Sequence, residues 1–379
     1  MDVRPDVSVV VATYNRRDGL EALLRGLARQ TYKASRFEVV VVDDGSTDGT
    51  PGLLRTISVP YALRSLTQAN SGPAVARNLG VEHARGSIIQ FLDDDVVPAP
   101  NLIEAHVAVH GERTDLVVTG PMLAPPLDWP QPAWDRWDAA QLEKQYQAMR
   151  DGKFPCTQRQ FFTANASLHR SMFEAVGGFD AEFKRAEDMD LAWRMSRQGA
   201  RFAFEPNAEV VHYAARSFVS WCRKAYQYGA YDVVMEREKA IPVFELACQE
   251  YHTRRAVNRW LTEACVGRTL LRDSVLFGLS MAVHVGARYR ADRLVSFALS
   301  SIFNIRYWQG ASDELGGPAR LWHAIANPGA TGLSAAARTA EAARLAKSAS
   351  GQLQAIAPIV AATPSPVASA TVSASGGQS

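Results

Sequence analysis

The stretch Ser87-Ile88-Ile89-Gln90-Phe91-Leu92-Asp93-Asp94-Asp95-Val96-Val97-Pro98 passes directly from an apolar run into three consecutive carboxylates. An apolar run of this length, bounded by Gly86 and Pro98, predicts a buried strand, so the acids lie where the strand leaves its sheet. Open α/β sheets bind ligands at that edge. Adjacent carboxylates repel one another unless a cation or several donors stabilise them, and hard oxygen ligands suit Mg²⁺ or Mn²⁺. The stretch predicts a metal site, with a solvated acidic turn as the alternative.

The chain on either side of this strand alternates between strand and helix patterns. Predicted strands lie at 7–12, 37–42, 61–65, 116–120, 161–168, 201–205 and 209–213, and predicted helices at 19–30, 74–84 and 101–111. Such alternation is typical of a mostly parallel sheet, whose strands present their carboxyl ends at one edge. We therefore expect an α/β fold with a mostly parallel central sheet, followed by a helical C-terminal extension.

Polar side chains after the first two strands suggest a nucleotide pocket. Tyr14, next to Thr13, offers an aromatic face for a base, and Asp44 offers acceptors for base or ribose donors. Helix capping by Asp43 and Asp44 and simple packing of Tyr14 are the structural alternatives. The chain has neither of the two common phosphate-binding motifs, GxGxxG after the first strand or GxxxxGK[ST]. The phosphates of a bound nucleotide must therefore be held by metal.

The segment 121–150 is rich in proline and tryptophan and predicts a long loop. Its three tryptophans are Trp129, Trp134 and Trp137. Exposed tryptophan beside Asp and Arg suits stacking on a sugar face, and anchoring of the loop to the core is the alternative.

A second acidic motif, Glu187-Asp188-Met189-Asp190, opens a predicted helix that ends near Gly199. The helix dipole favours carboxylates at its N-terminus, which explains one of the first two acids. The other can serve as a base that takes a proton from an alcohol. His212 ends the last predicted strand, and a lone histidine is more often structural than a ligand.

Five ordered motifs together resemble glycosyltransferase family 2, the inverting enzymes with a GT-A fold. The motifs are Val-Ser-Val-Val-Val-Ala-Thr-Tyr-Asn (7–15), Val-Val-Asp-Asp-Gly-Ser-Thr-Asp-Gly-Thr (41–50), Gly-Pro-Ala-Val-Ala-Arg-Asn (72–78), Phe-Leu-Asp-Asp-Asp (91–95) and Glu-Asp-Met-Asp-Leu-Ala-Trp-Arg (187–194). Each motif alone is weak, and their order makes the resemblance specific. It covers about residues 7–213 of the 379-residue chain.

The resemblance implies a role for each candidate residue. It places Asp188 as the general base with Glu187 beside it, Thr13, Tyr14, Asp44, Arg77, Asp93 and Asp94 on the nucleotide sugar, and Asp95, Asp93 and His212 on Mn²⁺ or Mg²⁺. The division of labour within the acidic triplet stays open. Thr163-Ala164-Asn165 stands where relatives often carry glycines, so no contact with the donor sugar is predicted there.

The implied function is hexosyl transfer (EC 2.4) from a nucleotide-diphosphate sugar to a saccharide or lipid-linked acceptor, in synthesis of cell-surface polysaccharide or glycolipid. In a single displacement, Asp188 takes the acceptor proton, the metal stabilises the departing diphosphate, and the configuration inverts. A non-catalytic nucleotide-sugar or carbohydrate-binding protein is the first alternative. A nucleotidyltransferase is the second, and the loop from Thr13 to Arg17 lacks the glycine that such enzymes commonly carry there.

Composition and charge constrain the partners and the compartment. A formal net charge of +2 argues against a nucleic-acid partner. Four widely spaced cysteines predict reduced thiols, and the N-terminus lacks a signal-peptide pattern, so we expect a cytoplasmic protein, with attachment to the inner face of the membrane left open. The apolar stretches fall short of about 18 to 20 residues, so no transmembrane helix is predicted.

Three regions are expected: a catalytic domain (1–215), a helical region (216–328) and a low-complexity, disordered tail (329–379). The helical region is rich in arginine, including Arg254, Arg255, Arg259, Arg268, Arg272, Arg288, Arg290 and Arg293. A solvated helix face explains this enrichment, and a peripheral contact with anionic lipid is the alternative.

Overall fold

A computed structural model describes residues 4–181 and 186–329 of the chain. The strands in these residues are β1 (Val7–Thr13), β2 (Phe37–Asp43), β3 (Ala62–Thr67), β4 (Ile88–Leu92), β5 (Val96–Pro98), β6 (Leu116–Thr119), β7 (Met122–Leu123), β8 (Asn165–His169), β9 (Arg201–Phe204) and β10 (Val210–His212). The helices are α1 (Arg17–Leu27), α2 (Thr50–Thr56), α3 (Pro73–His83), α4 (Leu102–His110), α5 (Ala133–Arg150), α6 (Arg170–Ala175), α7 (Glu187–Arg197), α8 (Phe218–Lys239), α9 (Val243–Gln249), α10 (Ala256–Cys265), α11 (Thr269–Arg288), α12 (Asp292–Leu315) and α13 (Pro318–Ala326).

The central sheet has seven strands in the order β3-β2-β1-β4-β8-β6-β9. Strands β3, β2, β1 and β4 are parallel neighbours, and β8 runs antiparallel between β4 and β6. The β-branched runs of β1 and β2 are buried on both faces, which explains why they are apolar without alternation. The predicted α/β fold with a mostly parallel sheet and a helical C-terminal region is confirmed.

A second sheet has three short strands in the order β5-β10-β7. Its strand β5 follows the end of β4 in the central sheet after the turn 93–95. As predicted, strand β4 ends directly before the acidic triplet. The structure adds that the triplet forms this turn and that β5 is a further strand. Strand β10 pairs antiparallel with β5, so that His212 lies opposite Val96. This pairing brings the end of the last strand to the acidic turn.

The prediction of a loop over 121–150 is wrong for its second half, which forms α5. Trp134 donates from Nε1 to the carbonyl oxygen of Arg216 at 2.8 Å, and the ring of Trp137 lies edge-on to Trp221 at 5.8 Å. These two tryptophans therefore anchor α5 to the helical region. Trp129 is half-exposed and contacts Tyr213.

Helices α8 and α12 form the centre of the helical region and cross at very close range. A Cβ at Gly229 would lie 1.8 Å from the carbonyl oxygen of Tyr307, and one at Gly310 would lie 2.0 Å from that of Tyr226, so both positions require glycine. Met189 and Trp193 of α7 pack against Met235 and Ile241, which joins the second acidic motif to this region. The predicted tail lies almost wholly outside the described residues.

Candidate active site

The acidic turn is tied to the end of β1 through Asp94. Thr13 Oγ1 donates to Asp94 Oδ2 at 2.7 Å, and Arg16 lies 3.5 Å from the other carboxylate oxygen. Burial raises the pKa of Asp94 to about 6, although Arg16 and Thr13 stabilise its ionised form. Both oxygens of Asp94 are thus held by the chain itself, which gives this residue a structural role in shaping the turn.

Asp95 faces two partners from different strands. Arg16 donates to its Oδ2, and His212 Nε2 lies 3.4 Å from its Oδ1. Burial by itself would raise the pKa of Asp95, but His212 and Arg16 outweigh that effect and hold the pKa well below its usual range. Asp95 is therefore an anion. Arg16 was not among the predicted site residues. It follows β1, and the neighbouring strand β4 ends at three acids, so its positive charge was a usable signal.

Asp95 and His212 fit a small divalent cation. Oδ1 of Asp95 is buried and makes no hydrogen bond of ordinary geometry, although it lies 3.4 Å from His212 Nε2, so it can still serve as a ligand. Two adjacent ligands of one octahedral ion lie about 3 Å apart, close to the 3.4 Å between this oxygen and His212 Nε2. No group of three or more His, Cys, Asp or Glu side chains in the described ranges is arranged to hold a metal, so further ligands must come from outside these side chains.

Asp44 holds the loop that precedes α3. Its Oδ1 accepts from the Ser71 backbone at 2.8 Å and from the Gln68 amide at 2.7 Å, and its Oδ2 accepts from the Gly72 backbone at 2.8 Å. A carboxylate oxygen accepts about two hydrogen bonds, so one site on Oδ2 remains for another donor. Asp43 is fully buried, and its Oδ2 has no partner.

The loop after β1 is fixed to the loop after β2. Asn15 adopts a left-handed backbone with φ of 52°, and its side chain accepts from the Thr47 backbone at 2.8 Å. Asp48 accepts from the Arg17 backbone at 3.1 Å. Between these ties, Tyr14 remains half-exposed at the edge of the site, with its ring accessible for stacking.

Arg77 connects the two acidic motifs. From α3, its guanidinium donates to Asp93 Oδ1 at 2.8 Å and to Glu187 Oε1 at 2.9 Å. The Arg77 side chain is 8% exposed, whereas Asp93 and Glu187 are 33% and 14% exposed, so the pair with Glu187 is the better shielded from water. Moving either acid away would leave the buried guanidinium without its partner, which is unfavourable. Arg77 therefore fixes the position of the acidic turn relative to the start of α7.

Asp188 and Glu187 take different environments at the N-terminus of α7. Burial and the neighbouring Glu187 raise the pKa of Asp188, although its Oδ1 accepts from the Met189 backbone at 2.8 Å. The Glu187 carboxylate accepts a hydrogen bond from Arg77. A carboxylate with a raised pKa is a stronger base, so the arrangement favours Asp188 for proton transfer and Glu187 for positioning.

Asn165, in the segment that departs from the glycine pattern, is part of a buried network. Its amide donates to the carbonyl oxygen of Ala208 at 2.7 Å, and its Oδ1 lies 3.0 Å from Nε2 of His106. Its side chain is therefore occupied within the protein. The structure thus brings Thr13, Arg77, Glu187, Asp188, His212 and the acidic triplet into one site, with Tyr14 and Asp44 on the adjoining loops.

Residues 8–177 match the family model described as glycosyl transferase family 2. The chain is 28% identical to the glycosyltransferase AglE of Haloferax volcanii, over 64% of this chain and 79% of that protein. It is 32% identical to the validoxylamine A glucosyltransferase of Streptomyces hygroscopicus subsp. jinggangensis, over 52% of this chain and 52% of that protein. The chain thus spans about half the length of the latter relative.

A solved structure has a similar fold. It is the mannosyltransferase PcManGT from Pyrobaculum calidifontis in complex with GDP-Man and Mn²⁺, with a TM-score of 0.54 and 24% identity, over 81% of this chain and 87% of that chain. At this identity the likeness concerns the fold alone.

Proposed function

We propose that the chain is a glycosyltransferase that inverts configuration as it moves a hexose from a nucleotide-diphosphate sugar to an acceptor hydroxyl. The match of residues 8–177 to the family 2 model and the likeness to AglE support this proposal. The domain has a GT-A-like fold. The proposal assigns the donor to the ends of β1, β2 and β4 and the acceptor to the start of α7. Its remaining parts follow from the contacts among these elements.

A single observation carries the proposal, namely that Arg77 bonds to both acidic motifs at once. Asp93 belongs to the turn that carries the candidate metal ligand Asp95, and Glu187 directly precedes the candidate base. A single displacement requires a base on one side of the anomeric carbon and the leaving diphosphate on the other. Here one guanidinium joins Asp93, two residues before Asp95, to Glu187, directly before Asp188.

In the proposed reaction, Asp188 removes the proton of the acceptor hydroxyl as the oxygen attacks the anomeric carbon. Its raised pKa suits this role because a base works best when its pKa lies near the operating pH. Glu187 accepts from Arg77 at 2.9 Å and so positions the neighbouring Asp188 toward the acceptor. Tyr14 stacks on the base, and the remaining acceptor site on Asp44 Oδ2 takes a donor of the base or ribose.

Asp95 and His212 would hold the cation, for which we propose Mn²⁺ or Mg²⁺, and its chemistry when bound is to stabilise negative charge on the departing diphosphate. The nitrogen ligand favours Mn²⁺, because Mg²⁺ is bound almost entirely by oxygen. PcManGT holds Mn²⁺ with its donor. For this chain, the assignment depends on the buried Oδ1 of Asp95, which makes no hydrogen bond of ordinary geometry and faces His212 Nε2 at 3.4 Å.

The acceptor is proposed to be a saccharide or a lipid-linked saccharide, and no nucleic acid takes part. We also propose that the catalytic part extends to about residue 215 and that the protein acts in the cytoplasm or at the inner face of the membrane. All four cysteines lie in the described residues as free thiols, which supports a reducing compartment.

Calorimetric titration of UDP, GDP, dTDP and CDP into the full chain, each with and without Mn²⁺, tests the donor site. We expect tight binding of one nucleotide that depends on Mn²⁺ and is lost in Asp95→Ala. Asp115→Ala is the control, because Asp115 is a surface acid paired with Arg113 and should leave binding unchanged. Absence of binding by all four nucleotides would contradict the proposal and favour the non-catalytic carbohydrate-binding alternative.

A further inference from the structure

One side of α11 is apolar and faces outward. Leu270, Phe277, Met281 and Val285 recur at helical spacing along this side, and Leu270 and Phe277 are 87% and 70% exposed. Tyr289, which follows the helix, is 75% exposed. Scattered exposed apolar residues are ordinary, but exposed apolar side chains that recur as a stripe along one side of a helix of 20 residues mark a surface that contacts something apolar. Ser274 interrupts this side between Leu270 and Phe277.

The opposite side of α11 is packed on the protein. Leu276, Val283 and Gly286 are buried, and a Cβ at Gly286 would meet Val295 of α12 at 2.9 Å. Among the described helices, α11 is the one that is long and apolar enough to cross a membrane by length and composition alone. Because its inner side is packed against α12, the outer stripe is suited to lie along a membrane surface.

Arginines flank the stripe at both ends. Residues 268–293 contain five arginines against two acids, Asp273 and Asp292. Arg268 and Arg272 lie at the start of α11, and Arg288, Arg290 and Arg293 at or just beyond its end. An apolar stripe between basic ends, with an aromatic side chain at its edge, is the pattern of a helix that lies in the interface of an anionic bilayer.

We propose that the outer side of α11, with its flanking arginines, docks the protein on the surface of an anionic phospholipid bilayer. Arg288, Arg290 and Arg293 contact the headgroups while Leu270, Phe277 and Met281 enter the boundary with the acyl chains. Arg272 is 16% exposed and is paired with Asp273 instead. The charge argues against a second copy as the occupant, since a two-fold interface sets the same arginines against each other. The docking surface is independent of the proposed transfer reaction, so either can fail alone.

Co-sedimentation of the full chain with vesicles tests the proposal. Wild-type protein should bind vesicles of phosphatidylcholine with 30 to 40% phosphatidylglycerol at least about tenfold more strongly than vesicles of phosphatidylcholine alone. The triple variant Leu270→Ser/Phe277→Ser/Met281→Ser should lose binding to both. Its control is Leu127→Ser, a fully exposed apolar residue far from this helix in sequence.

A charge variant separates the role of the arginines. Arg290→Glu/Arg293→Glu should weaken binding to anionic vesicles at least about tenfold and leave the weak binding to neutral vesicles unchanged. Arg29→Glu/Arg55→Glu makes the same change of charge at exposed positions of the catalytic part and should bind like the wild type. Circular dichroism and nucleotide binding show whether each variant is folded.

Equal recovery of wild type and the triple variant with anionic vesicles would overturn the proposal. So would absence of wild-type binding at any lipid composition. Sedimentation equilibrium without lipid adds a further outcome: a dimer that the triple variant abolishes would assign the surface to a second copy and refute lipid docking.

Discussion

Arg77 donates to Glu187 at 2.9 Å across 110 residues of sequence, and the same guanidinium reaches Asp93. Two motifs that lie far apart in the chain are therefore joined by one largely buried cation. Because Arg77 is the cation paired with both Asp93 and Glu187, its loss leaves their negative charges without compensation.

Arg77→Met is expected to lower the free energy of unfolding by about 3 kcal/mol, because it breaks two ion pairs and leaves the partly buried Asp93 and Glu187 without a counter-charge. Urea denaturation measures the change. Arg113→Met removes an exposed pair with Asp115 and should leave the free energy of unfolding nearly unchanged. Equal losses in the two variants would show that Arg77 does not hold the motifs together.

Asp188→Asn is expected to lower kcat by about 10² to 10⁴, because the amide cannot take the acceptor proton. The KM for the donor should stay within about twofold, since nucleotide contacts lie elsewhere. Glu187→Gln keeps Asp188 and should lower kcat much less. Steady-state kinetics with a saturating acceptor decide the matter, and a full transfer rate in Asp188→Asn would refute the proposed base.

The transfer rate should rise with pH, with a midpoint well above the usual carboxyl value of about 4. The sign follows because Asp188 must be deprotonated to act, and burial and Glu187 raise its pKa. The logarithm of kcat against pH should climb with unit slope and then level off. Residual activity of Asp188→Asn should be flat over the same range, and a matching slope in that variant would assign the ionisation to another group.

His212→Gln should weaken Mn²⁺-dependent nucleotide binding by at least about 10-fold to 100-fold, because it removes one of the two groups that converge on the proposed cation. Calorimetry in the presence and absence of Mn²⁺ measures the effect. His323→Gln changes an exposed histidine of the helical region and serves as the control. Unchanged Mn²⁺ dependence in His212→Gln would remove His212 from the metal site.

Buried histidines should make the protein less stable at mildly acidic pH. Burial lowers the pKa of both His106 and His110 to about 4, below the ordinary value of 6.5. Their neutral forms therefore contribute stability above pH 6.5, and this contribution is lost as the pH falls toward 4, by about 2 kcal/mol for each histidine at pH 5.

Urea denaturation of His110→Leu at pH 7.5 and pH 5 tests this sign. The drop in unfolding free energy between the two pH values should shrink by about 2 kcal/mol relative to the wild type. His252→Leu alters an exposed histidine and should keep the full drop. An undiminished drop in His110→Leu would mean that another group causes the acid sensitivity.

The sequence predicted much of the fold because its strongest patterns are local. The runs of β1, β2 and β4 are predominantly apolar, since both faces of a parallel sheet are covered, and this signal needs no knowledge of partners. Strand β5 and helix α5 were missed for the opposite reason. Three residues carry almost no periodicity, and the prolines before α5 obscured a helix whose tryptophans are held by distant helices.

Local sequence patterns indicate which residue types form the site and that the acids after β4 and at the start of α7 lie at a sheet edge. The role of each acid depends on contacts that form only in the folded chain. Arg16 and His212 contact Asp95. Thr13 donates a hydrogen bond to Asp94, and Arg77 donates to both Asp93 and Glu187. Each partner comes from another element, and a carboxylate's pKa and role depend on charges that are near in space, which local sequence does not encode.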